Sequence, residues 1–251
     1  MNNCGGGDET AKASYREDYL QWKDWGETSF GAVRSVDSAY FAAELRRTKR
    51  RFPSRSKVLE IGFGNGRFLK FATDRGWDII GTELNSALVE VASLKGFNVM
   101  HCSDLQDFPA HSFDLVVAFD VLEHLPNDLL SAMMAQIRRV LKEDGVLVAR
   151  FPNGDSPFGL AYQNGDMTHL SAIGSGKIRF LAGAADMEVV HIGAESQPIL
   201  CGSVPHFFQR LIAMPFKLIL DLAVRFIFFP TLRVSFSSPN MSVVLRPTCR
   251  K

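Results

Sequence analysis

The stretch Val58-Leu-Glu-Ile-Gly62-Phe-Gly64-Asn-Gly66-Arg-Phe decides how this chain is read. A short apolar run, three alternating glycines and a helical period describe a buried strand, a tight turn and a helix. Glycine in such a turn lets the backbone approach a ligand, and the helix start offers N–H groups without intrahelical partners. Glu60 places a carboxylate at the carboxyl end of the strand, where open α/β sheets bind ligands. The spacing is G-x-G-x-G with an acid two residues ahead, not the G-x-G-x-x-G of a dinucleotide site. A carboxylate there repels a pyrophosphate and suits the ammonium group of an amino-acid-bearing cofactor. A ligand-free glycine turn and a dinucleotide site remain the rival readings.

Working outward, short apolar runs alternate with helical periods. Strands are expected at 57–61, 78–81, 98–101, 113–119 and 145–151, with helices at 67–75, 87–94 and 128–142 between them. That alternation predicts a parallel sheet with right-handed crossovers. Asn127 or Asp128 is expected to cap the last of these helices, and Asp144-Gly145 to stop it. Two more strands are expected at 188–192 and 241–246, giving a Rossmann-like seven-stranded, mostly parallel α/β sheet. Its last strand is expected to run antiparallel, within three α/β/α layers. Helices at 14–25 and 38–51 make residues 1–56 an N-terminal helical cap on a domain spanning 57–251.

Several segments resemble the class I methyltransferases that use S-adenosylmethionine (SAM), from about Lys57 to Asn153. The glycine turn matches their V-L-E-I-G-x-G-x-G pattern, and Arg138-Arg-Val-Leu-Lys-Glu-Asp-Gly145 resembles their helix-to-strand turn. The resemblance implies SAM as cofactor, held by Glu60, Gly62, Gly64 and Gly66. It implies Glu83, followed by Leu84, on the ribose hydroxyls, and Asp104 with Leu105 at the adenine. Phe119 and Asp120, ending the fourth strand, complete the implied cofactor set. Asp104 also has a bland reading, as a turn former that bonds its own backbone.

Methyl transfer is an in-line displacement that needs an aligned acceptor, dry surroundings and often a base for the acceptor's proton. His169 in Asp166-Met-Thr168-His169 is the first candidate base, with Asp166 expected to orient it and stabilise its charged form. The alternative is that His169 caps a helix near 173–182. His124, next to Glu123 in the loop after the fourth strand, is the second candidate. Asp120, Glu123 and His124 together resemble the metal site of some quinone O-methyltransferases. An Asp stands at the first position and a fourth ligand is not evident, so no metal is assigned.

Bulk properties set limits. The 251 residues are 46% hydrophobic and 22% charged, with a net charge of +1, an ordinary globular composition that does not suggest nucleic-acid binding. Four scattered cysteines and a polar, glycine-rich start lead to the expectation of a cytoplasmic chain. Residues 211–230 are almost continuously apolar, close to the ~20 residues of a membrane span. Lys217, Asp221 and Arg225 interrupt that run every four residues, however. An amphipathic helix pair within 203–238 fits better, as a peripheral membrane contact, a lid over the acceptor or a homodimer surface. This insertion and the 156–169 loop resemble methyltransferases of bacterial surface-polysaccharide biosynthesis. The reading is an O-methyltransferase of a sugar hydroxyl on a surface or lipid-linked glycan at the inner membrane face. Its rivals are an O-methyltransferase of a quinone or other lipophilic phenol and a non-catalytic SAM-binding partner of a membrane complex.

Overall fold

The computed structural model describes residues 23, 25, 28–102, 104–198, 204–231 and 235–248; for 204–206 only the backbone is described. The helix expected at 14–25 falls almost wholly outside them. The described chain runs α1 (Ser35–Arg46), β1 (Lys57–Ile61), α2 (Arg67–Thr73), β2 (Asp78–Glu83), α3 (Ser86–Leu94), β3 (Val99–His101) and β4 (Phe113–Phe119). It continues through α4 (Asn127–Val140), β5 (Leu141–Pro152), α5 (Leu160–Gly165), α6 (Ser175–Ala184), β6 (Met187–Ala194), α7 (Val204–Phe228) and β7 (Asn240–Pro247). Single 3-10 turns lie at Leu122–His124 and Pro157–Gly159.

The seven strands stand in the order β3-β2-β1-β4-β5-β7-β6. Pairings from β3 through β5 are parallel, and β7 runs antiparallel to both of its neighbours, as the sequence predicted. The order reverses between β1 and β4, so the loops after these strands diverge and leave a crevice at their carboxyl ends. The glycine turn lies on one side of it and the Asp120–His124 loop on the other.

Both faces of the sheet are covered, which is why its central strands are apolar at consecutive positions. Leu59, Val116 and Leu147 pack with Ile137 of α4 and Leu181 of α6. On the other face Val58, Leu115 and Val117 pack with Phe68 and Phe71 of α2 and with Phe41 and Leu45 of α1. Helix α1 therefore shares the sheet's own core. It stops at Arg46 rather than 51, and Lys49 follows with a left-handed φ of 56°.

Other expectations are corrected. Helix α4 ends at Val140, because Leu141 is already extended and pairs with Phe113; Gly145 lies inside β5 and does not stop the helix. Neither Asn127 nor Asp128 caps α4. Pro126 occupies the cap position, and Asn127 Oδ1 instead accepts from Ser171 Oγ and Lys177 Nζ, joining α4 to α6 and the loop before it. The expected helix pair in 203–238 is one helix, α7, that continues through Pro215. Among the described residues no helix is long and apolar enough to cross a membrane.

Candidate active site

The three glycines have φ of 65°, 51° and 72° at Gly62, Gly64 and Gly66. Gly64 ties the turn to the end of β2. Its N–H donates to Glu83 Oε2 at 3.0 Å, and a Cβ there would lie 2.8 Å from the Trp25 indole. A side chain at 64 is thus excluded by backbone conformation and by space. Glu60 is 4% exposed and its Oε2 has no hydrogen bond among the described residues. Burial, reinforced by Glu83, pushes its carboxyl well above the ordinary range. A buried carboxylate oxygen without a partner is matched by a cationic donor, which would restore the charged form.

Glu83 ends β2. Besides Gly64, the backbone N–H groups of Leu84 and Asn85 donate to its Oε1 at 2.8 and 3.1 Å. Burial raises this carboxyl and the three N–H donors partly offset that. An ionised carboxylate has room for about four hydrogen bonds, so one acceptor position remains. Asp104 Oδ1 accepts from Gln106 N at 2.9 Å, a turn bond that occupies one of its two oxygens. Leu105 departs from the expectation. Its side chain is core, and its N–H is taken by Gln136 Oε1 at 2.6 Å. Phe119 packs its ring on Phe41 and Phe68.

Across the crevice the two expected catalytic loops meet. The Glu123 carbonyl accepts from Leu170 N at 2.8 Å and Ser171 N at 3.0 Å, which pins the His169 loop to the β4 loop. Thr168 Oγ1 lies 2.6 Å from Asp166 Oδ1 and 2.8 Å from His124 Nδ1. A hydroxyl has one proton, and the carboxylate accepts it. His124 must then donate from Nδ1, which leaves Nε2 with a free lone pair. Burial, then the neighbouring His169, push the His124 imidazole down to about 4, so this tautomer is neutral. The two imidazole rings meet edge to face with centroids 4.6 Å apart.

The structure departs here from the expected hydrogen bond between Asp166 and His169. Asp166 was expected to orient His169 and favour its cation; it does favour the cation, but His169 Nε2 is 3.7 Å from Asp166 Oδ2, beyond a hydrogen bond. That oxygen instead pairs with Lys23 Nζ at 2.9 Å. Burial opposes ionisation of Asp166, but the bonds from Lys23 and Thr168 outweigh it and hold the carboxyl far below its usual range. Burial lowers His169, and Asp166 only partly counters it. Asp120 also does not converge with Glu123 and His124. It sits at a φ of 57° and pairs with Arg150, which draws it away.

Glu123, His124 and His169 do converge. They offer one ligand atom each, all within 4.8 Å of one another. Glu123 is 1% exposed, and neither carboxylate oxygen has a hydrogen bond among the described residues. Burial, with Asp120 adding to it, raises this carboxyl well above its ordinary range. Two states fit such a group: a protonated acid, or a carboxylate on a divalent cation shared with the two imidazoles.

Residues 34–192, more than half of the chain, match a family described as a methyltransferase domain. The chain belongs to that family. The methyltransferase is 29% identical over 94 residues to a ubiquinone biosynthesis O-methyltransferase of Hahella chejuensis, a match over 34% of this chain and 39% of that protein. It is 30% identical over 99 residues to an uncharacterized methyltransferase of Oceanobacillus iheyensis, over 38% and 46% of the two chains. The chain thus spans less than half the length of these curated relatives. Among solved structures, a SAM-dependent methyltransferase from Archaeoglobus fulgidus superposes with a TM-score of 0.62 at 18% identity, over 92% of this chain and 99% of that one. A Burkholderia thailandensis 1,6-didemethyltoxoflavin-N1-methyltransferase with bound S-adenosylhomocysteine gives 0.59 at 13% identity, over 99% and 93%.

The methyltransferase is a class I enzyme with SAM as its cofactor, and the glycine turn with its unpartnered Glu60 oxygen fits that donor. Sequence reasoning missed Lys23, Thr168 and Trp25. Thr168 stood in the quoted D-x-T-H segment and could have been found from the threonine's position beside two candidate groups. Lys23 and Trp25 lie in the helix expected at 14–25, far from the site along the chain, and only folding brings them to it.

Proposed function

We propose that this methyltransferase moves the SAM methyl group onto the hydroxyl of a quinone-type or other lipophilic phenol. The observation that carries this is the imidazole pair, His124 and His169, with ring centroids 4.6 Å apart beside the buried Glu123. His124 is pushed down to about 4 and His169 is also lowered, so both are weak bases. Base strength has to match the acceptor. A phenol ionises near ~10, and a sugar hydroxyl is far less acidic, so weak bases suit the phenol. The relatives named for ubiquinone biosynthesis favour the same choice over the sugar hydroxyl of a surface glycan.

In this reading Glu60 takes the SAM ammonium and the glycine turn carries the methionine portion against its backbone. Glu83 uses its remaining acceptor position on the ribose, and Asp104 lies toward the adenine. The acceptor O–H passes its proton to His169, with His124 beside it, as the oxygen attacks the sulfonium methyl carbon. The carbon–sulfur bond breaks, and its electron pair stays on sulfur in S-adenosylhomocysteine.

The test is methyl-labelled SAM with a hydroxylated prenyl phenol and, separately, with a cell-envelope glycan fraction. Label in the phenolic ether is expected. Label in the glycan with none in the phenol overturns the proposal. Chelation then separates two versions of the site. Activity that survives a chelator belongs to the imidazoles alone, whereas loss restored by magnesium places a cation on Glu123, His124 and His169.

A further inference from the structure

Helix α7 turns its polar stripe toward the protein and its apolar face outward. At 100° per residue Arg210, Lys217, Asp221 and Arg225 fall on one side. That side meets the body of the chain. Arg210 donates to the Pro198 carbonyl, and Lys217 Nζ is 3.3 Å from Gln197 Oε1. Asp221 accepts from Ser237 N at 2.7 Å and Ser235 Oγ at 3.0 Å. The opposite side carries Phe208, Ile212, Ile219, Leu222 and Phe226, all exposed, with Ile219 at 63% and Phe226 at 85%. A helix that served only to cover a pocket would bury this face and expose its charges. This one exposes that face from Phe208 to Phe226 and keeps its charges half-buried.

We propose that α7 lies in the interfacial layer of an anionic lipid bilayer, with its outward face among the acyl chains and the domain above it. Exposed apolar patches of this extent mark interaction surfaces. The charges within α7 make spanning costly, and lying in the interface satisfies both faces. Charge complementarity selects the occupant. Residues 196–251 carry seven Lys and Arg against Asp221 alone, whereas residues 1–195 carry 21 against 26 acids. Within α7 itself Arg210, Lys217 and Arg225 stand against Asp221 alone, so an anionic surface attracts this helix. A symmetric dimer through α7 would bring the two basic segments together, which like charges disfavour.

An opening lies on the inward side of α7. A cavity of about 370 Å³ lies between α7 and α5, lined by Phe158, Tyr162, Lys217, Leu220, Ser237 and Pro239. Helix α5 leads directly into Asp166. A bilayer-resident acceptor would enter here; this extension rests on the lipophilic acceptor proposed above, whereas the docking does not.

The test is co-sedimentation of the full chain with phosphatidylcholine vesicles, with and without phosphatidylglycerol. The chain is expected to pellet with the anionic vesicles, less with neutral ones, and less in high salt. The Ile212→Glu, Ile219→Glu, Phe226→Glu triple variant should lose about tenfold or more of that binding, given the cost of charge among acyl chains. Its SAM affinity should stay at the wild-type level; if it does not, Ile219→Glu alone replaces it. A wild-type chain that stays in the supernatant with both vesicles overturns the proposal. So does a wild-type dimer by light scattering that the variant converts to monomer, with no vesicle binding in either. Vesicle binding without phenol methylation sinks the acceptor and leaves the docking. Methylation without vesicle binding does the opposite.

Discussion

The Lys23 ammonium lies 2.9 Å from Asp166 Oδ2, closer than His169 Nε2 at 3.7 Å. Two residues on, Trp25 packs its ring over Gly64. One short stretch near the amino terminus therefore touches both sides of the crevice, the cofactor turn and the acceptor loop.

Removing that ammonium changes the base. Lys23 lowers His169 directly, and it also neutralises the carboxylate that would raise it. In Lys23→Ala the acid limb of the kcat/KM profile should move to higher pH, with SAM affinity unchanged by calorimetry. A limb that moves down, or stays fixed, removes His169 from the titrating step.

His124 gives a sharper titration. Its imidazole is lowered to about 4 in the fold, against an ordinary value near 6.5. Below about 6.5 the unfolded chain takes up a proton that the folded site refuses. The stability from this group is therefore lost as pH falls from about 6.5 to about 4, up to ~3 kcal/mol. The His124 ring resonances should titrate near 4 by NMR. Denaturation of His124→Gln should show a shallower loss of stability over that window, and an equally steep loss refutes the assignment.

The two halves of the site should separate by mutation. Gly64→Arg puts a side chain where φ is 51° and the Trp25 ring is already 2.8 Å from the first added carbon. It should abolish SAM binding. His169→Ala should keep SAM binding and lose roughly 10²- to 10⁴-fold in turnover, the range for a general base. Equal loss of SAM affinity in both variants would contradict the role of His169.

Glu44 of α1 is a structural counterpart. It is fully buried, accepts from Ser196 N at 2.5 Å and Arg47 Nη1 at 3.1 Å, and also accepts from Ser242 Oγ on β7. Glu44→Ala strands these donors and should cost about 2–4 kcal/mol, read as a lower midpoint in chemical denaturation. A change within a few tenths of that midpoint's error would mean that solvent replaces the carboxylate.

The cofactor half of the site was legible in the chain, because its parts are local. A strand, three glycines and a helix start are contiguous, and Glu60 needs only the strand period to be placed. Glu83 was placed by the end of its own strand. The acceptor half was legible only as a set of candidates. His124, Asp166 and His169 were named, but their partners were not, since Thr168 bridges two loops 44 positions apart and Lys23 comes from the other end of the domain. The partner of Asp120 was hidden for the same reason: Arg150, on the adjacent strand, pairs with it.

The sequence by itself determined the sheet, its crossovers and the SAM cradle, because hydrophobic period and turn chemistry act over a few residues. Only the tertiary structure decided which carboxylates are paired and which imidazoles are neutral, and that α7 shows its apolar side to the outside. Those properties depend on burial and on neighbours remote in the chain, and a linear pattern carries neither.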